Sequence, residues 1–87
     1  MELKENQVVK LRNGKVGVVT SFNGKPYQIV FDSYSNPVAR YDKKLEHKNH
    51  DYDIVSVFSG ESVSEPKDVF KKSFDIDALK RVWRKRE

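Results

Sequence analysis

A small, mainly β domain is the fold class this sequence predicts, and three observations carry it. β-branched and aromatic residues gather in short runs through the first sixty or so residues. Turn residues punctuate those runs, including two Asn-Gly pairs, at 13–14 and 23–24. Apolar residues at helical spacing collect instead in the C-terminal segment.

Residues 7–12 (QVVKLR) read as a first strand. Asn13-Gly14 is the strongest short hairpin signal, because a type I′ turn needs positive φ at both central residues. Residues 15–22 (KVGVVTSF) return as a second strand, with Gly17 marking a bulge or a close backbone approach. Residues 23–26 form a second turn. Residues 27–32 (YQIVFD) form a third strand that places Tyr27, Ile29 and Phe31 on one face. Residues 33–37 read as a loop, 38–42 (VARYD) as a short fourth strand, 43–52 as a polar irregular stretch, and 53–58 (DIVSVF) as a fifth strand. Five short strands with tight turns predict a strongly bent five-stranded barrel over residues 1–60, SH3-like in preference to OB-like.

Residues 61–87 are expected to be a linker followed by a basic amphipathic helix packed on the barrel, within a single domain overall. Pro66 opens a short helical turn through Phe70 and Lys71. Asp75 is the expected N-cap of a helix over 76–86, with Asp77 complementing its dipole. Ile76, Leu79, Val82 and Trp83 form its apolar stripe.

A chain of 87 residues is one domain with a modest core, which a partner or second copy would help to stabilise; a homodimer is compatible with that. The absence of cysteine excludes disulfides and cysteine-ligated metal sites, and suits a reducing cytoplasm. No apolar run has the length of a membrane span, and residues 1–6 lack the apolar core of a secretion signal, so no membrane association is expected. The net charge of +4 is confined to residues 71–87, which hold seven Lys/Arg and three Asp/Glu; residues 1–70 are balanced at ten each. Attraction to a polyanion would therefore be local.

Catalytic motifs are lacking. The serines lie in turn and loop stretches, and the glycines are spaced for turns and a bulge rather than for a phosphate loop. His47 and His50, beside Asp51 and Asp53, are too few for a zinc site and read as part of a solvated loop. No metal, cofactor or catalytic residue is expected. Two groups of residues suit an anionic ligand. On the C-terminal segment, Arg81, Arg84 and Lys85 can meet phosphates beyond a packed apolar stripe; the alternative is a solvated helix face. Near the third and fourth strands, Tyr34, Arg40, Tyr41, Lys43 and Lys44 combine ring stacking with cations. The alternative there makes Tyr41 a core residue and pairs Arg40 with Asp32 or Asp42.

The string LRNGKVGVV (11–19), followed by DYDIVSVF (51–58), resembles small bacteriophage and prophage β-barrel proteins that open on an LRNGKxGxV hairpin and close on a DIVxV strand. The likeness covers about residues 7–58. It implies a phage-related origin, hence a host-cell cytoplasmic location, and brings no catalytic or binding residues with it. Such proteins act as accessory factors that bind nucleic acid, block host proteins or sequester nucleotide signals of host defence. The expectation is a non-catalytic accessory protein that binds nucleic acid or a nucleotide. The alternative is an inhibitor or assembly factor that engages a host or phage protein through a strand edge or the C-terminal helix.

Overall fold

The computed structural model describes residues 1–21 and 26–86. Its six strands are β1 (Val8–Leu11), β2 (Val16–Thr20), β3 (Gln28–Val30), β4 (Ser35–Pro37), β5 (Ile54–Phe58) and β6 (Arg81–Arg84). They make one open antiparallel sheet in the order β4-β3-β2-β1-β5-β6. Short 3-10 turns occupy Val38–Arg40, His50–Tyr52, Pro66–Phe70 and Ile76–Ala78, and the described residues contain no α-helix.

The first hairpin forms where Asn13-Gly14 predicts it, with a different turn. Leu11 N donates to Lys15 O at 2.8 Å and Gly14 N donates to Leu11 O at 2.9 Å, so the loop is the three residues Arg12, Asn13 and Gly14. Only Gly14 has positive φ, at 89°. Asn13 instead accepts from Lys15 N through its side chain at 3.0 Å. A three-residue loop needs one left-handed residue at its end, where glycine carries no steric cost.

Both faces of the sheet are covered, which explains the paired apolar residues in its central strands. Val9, Val19 and Val57 point to one side, into a cluster with Leu11, Ile29, Phe31 and Ile54. Leu3, Tyr41 and Leu45 close over that cluster. Their neighbours Val8, Val18 and Phe58 point to the other side, as the two-residue period of a strand requires. Val63, Val69, Phe70, Phe74, Ile76 and Leu79 cover this second face. Fully buried side chains such as Leu11, Ile29 and Ile54 each contribute about 1.5–3 kcal/mol. Gly17 stands opposite Val9 in unbroken register, so it serves a close approach and not a bulge. A Cβ there would lie 2.7 Å from Ile29 Cγ2 and 2.8 Å from Phe31 Cε1.

The C-terminal helix is replaced by a turn and a strand. Asp75 caps as expected, accepting from Asp77 N at 3.0 Å, but only the 3-10 turn Ile76–Ala78 follows. The chain then extends as β6 along β5, with Val57 opposite Trp83 and Ser56 opposite Arg84. Two causes combine. β-branched Val82 and aromatic Trp83 suit a strand, and β5 offers an unpaired edge. The apolar residues also do not share a face: Ile76 and Leu79 pack on the second cluster and Trp83 on the first. A stripe at helical spacing thus serves two sides of one sheet, and the sheet has six strands, not five.

The fourth strand is likewise displaced. Ser35–Pro37 pairs with β3, and Val38–Arg40 turns away as a 3-10 turn after Pro37. The expected turn at the second Asn-Gly pair lies outside the described residues.

We expect Gly17→Ala to lower unfolding free energy by about 1–3 kcal/mol in urea titration, since its methyl group overpacks Ile29 and Phe31. Far-UV circular dichroism should show a β-type spectrum without the paired α-helical minima; a helical signal from residues 76–86 would contradict β6.

A candidate ligand-binding surface

The segment between the Val38–Arg40 turn and β5 is an irregular loop held by two aspartates. Asp42 organises its start. Its Oδ1 accepts from Lys44 N at 2.8 Å and from Glu46 N at 2.9 Å, and its backbone carbonyl accepts from Leu45 N at 2.9 Å. These bonds hold Leu45 at φ 61°, a left-handed conformation that costs a non-glycine residue about 1–2 kcal/mol. Leu45 is buried in the first cluster, so burial and the Asp42 bonds offset that cost. The N–H groups that donate to Asp42 hold its carboxyl below the ordinary range, that of Glu46 foremost, with Lys44 and Lys85 adding positive charge nearby.

Asp53 organises the end. Its side chain is 1% exposed. Oδ1 accepts from His47 N at 2.8 Å, and Oδ2 lies 3.3 Å from Arg12 Nη2 and 3.1 Å from His50 Nδ1. Arg12 also donates through Nε to His50 O at 3.2 Å, and its backbone N donates to Asp53 O at 2.8 Å. The hairpin loop after β1 is thereby locked to the loop before β5. Burial alone would raise the Asp53 pKa, but the donors from His47, His50 and Arg12 outweigh it, and the carboxyl is held below its usual range.

Aromatic rings line the same loop. Tyr41 is buried, as its core reading expects, and its hydroxyl donates to Tyr52 O at 3.0 Å. The His47 ring meets Tyr41 and Tyr52 edge-on, each at 5.3 Å between centroids. Burial pushes the Tyr41 phenol up to about 12, with further contributions from Tyr34, Asp53 and Tyr52. Tyr34, in the β3–β4 turn, stacks on Phe31 at 4.8 Å and 22°.

The cations anticipated from the sequence fall into three situations. Arg40 is exposed on its 3-10 turn, with no ion pair to Asp32, Asp42 or any other described residue. Lys43 and Lys44 are exposed on the Asp42 turn. Arg81 and Arg84 are exposed on β6, not on a helix, while Lys85 folds inward to pair with Glu46 at 2.7 Å, leaving its side chain 13% exposed. That ion pair joins the Asp42 turn to the end of β6, so Lys43, Lys44, Arg84 and Lys85 share one neighbourhood. Arg86 is exposed there too. It belongs to the same cationic run, which is the sequence signal that identifies it. Arg84, Lys85 and Arg86 border a shallow depression with Val55 and Ser56.

The histidines are engaged locally: His47 Nδ1 accepts from Asn49 N at 2.9 Å, and His50 Nδ1 meets Asp53. No group of three or more metal-ligating side chains occurs among the described residues. A groove of about 450 Å³ between the N-terminal segment and residues 59–66 is lined by Lys4, Gln7, Ser59, Glu61 and Val82, and holds none of the anticipated site residues. No helix among the described residues is long and apolar enough to cross a membrane. No family model matches this chain, and neither a curated protein nor a solved structure matches it.

The Asp53 network yields a pH-dependent expectation. Because its folded pKa lies below the unfolded value of about 3.9, its ionised form stabilises the fold fully above that value. The contribution shrinks below it and is gone once pH has fallen through the lowered folded pKa. Asp53→Asn should therefore cost about 2–3 kcal/mol at neutral pH, with the gap from the unsubstituted protein closing in strong acid. Urea denaturation of both proteins across that range is the measurement; a gap that does not change with pH would contradict the network.

Proposed function

We propose that this chain is a non-catalytic nucleic-acid-binding accessory protein of the kind phages and prophages encode, acting in the host cytoplasm. One observation carries the reading. Arg81, Arg84 and Arg86 are exposed along an extended edge segment whose end adjoins the Lys43–Lys44 turn. Over Arg81–Arg84 the strand spans roughly 10 Å, so its cations are set out in a row rather than gathered at a point.

Within the anionic-ligand class, this form favours a polymer over a mononucleotide. Small-ligand sites bury most of their ligand in a cleft, whereas the cations here rim a shallow depression. The hairpin and closing-strand resemblance supports the phage context. The connectivity is compatible with an SH3-like relation: a β1–β4 meander, a 3-10 turn, then β5 returning beside β1.

A protein-binding role is the second reading, and Val82, 44% exposed on β6, is the observation that favours it. Strand addition is hindered at both edges. β4 has three residues and ends on Pro37, and β6 carries a bulge and arginines.

The test compares the unsubstituted protein with an Arg81/Arg84/Arg86→Ala variant, titrated against single- and double-stranded DNA and RNA at two salt concentrations. The variant should bind more weakly to every sequence, with a salt slope shallower by about 2–3, from 0.7 to 0.9 per lost phosphate contact. Unchanged binding by the variant, or none by the unsubstituted protein, overturns the reading.

A further inference from the structure

We infer that the surface is built for single-stranded nucleic acid, with one base stacked on the open face of Tyr34; this rests on the nucleic-acid reading above. Tyr34 is 37% exposed although its ring is already stacked on Phe31. Phe31 is itself 3% exposed and fixed in the first cluster, and its N–H donates to Tyr34 O at 2.7 Å. Tyr34 is thus an exposed ring ordered in advance from beneath and through the backbone, so a base stacking on it need not freeze a mobile side chain. Tyr27 is as exposed, but it has no ring contact among the described residues.

Tyr34 also precedes, in the chain, the exposed Arg40 and the Lys43–Lys44 turn. Further along the same stretch, the Tyr41 hydroxyl donates to Tyr52 O at 3.0 Å, and burial raises the phenols of both Tyr34 and Tyr41. His47 contacts both Tyr41 and Tyr52, and the adjoining residue Glu46 pairs with Lys85 at the end of β6. A strand whose phosphates meet the exposed Arg40, Lys43 and Lys44, which follow Tyr34 in the chain, can direct a base toward Tyr34. A duplex hides its base faces inside the stack and has none to present. The pairing of a ring with cations is the chemistry that recognises a single strand.

The probes are an oligothymidine DNA strand, the same strand with abasic sugars, and a duplex of equal length. They are titrated against the unsubstituted protein, Tyr34→Phe and Tyr34→Leu. The unsubstituted protein and Tyr34→Phe should prefer the intact strand to the abasic one by roughly 5- to 150-fold for one stacked base. Tyr34→Leu keeps apolar cover over Phe31 and should lose that preference. Equal binding of intact and abasic strands by the unsubstituted protein overturns the stacking inference, and this comparison decides even if Tyr34→Leu fails to fold. In that outcome, salt-dependent binding that still requires Arg81, Arg84 and Arg86 leaves the nucleic-acid reading standing. Binding to none of the probes removes both.

Discussion

Coverage of both faces of one sheet is the constraint on which the rest of this structure depends. The central strands carry apolar residues on both sides, as in Val8-Val9 and Val18-Val19. An antiparallel sheet with one wet face would alternate apolar and polar residues instead. A chain of 87 residues has little material from which to build two covers. The loop ahead of β5 and the N-terminal Leu3 supply one, and residues 61–79 supply the other. Neither is an α-helix, because each must follow the twisted surface beneath it while satisfying its own backbone in short turns.

A cover without regular structure needs another means of holding its shape, and buried or backbone-bonded carboxylates provide it. Asp42 gathers the N–H groups of a tight turn. Asp53 gathers donors from His47, His50 and Arg12, joining the first hairpin to a segment some forty residues later. The geometry leaves no buried side-chain nitrogen or oxygen without a partner among the described residues. Such a network is stabilising only when complete, since one missing donor leaves a charge in a site that water does not reach.

This framework also sorts the cations. Lys85 is drawn into the structure by Glu46, and Arg12 by Asp53. Arg84, Arg86, Lys43 and Lys44 are left toward solvent around the junction of β6 and the Asp42 turn, and Arg81 at the other end of β6. The surface around that junction lies beside a loop rich in rings, so fixed aromatics and exposed cations adjoin there.

The sequence alone determined features governed by neighbouring residues. Asn13-Gly14 fixed the first hairpin, Asp75 and Pro66 fixed the starts of two turns, and the count of charges fixed where the cationic excess lies. Alternation and β-branched residues located β1, β2 and β5 to within a residue or two. Tertiary structure decided what depends on distant partners. Spacing at 76, 79, 82 and 83 is the same whether those residues line one helix face or divide between two sides of a sheet, and only the open edge of β5 selected the strand. The same holds for Asp53, which reads as one more acid in a polar loop until folding brings Arg12 beside it and removes the water. Lys85 looks equivalent to Arg84 in the sequence, yet strand alternation turns the lysine toward Glu46 and the arginine toward solvent.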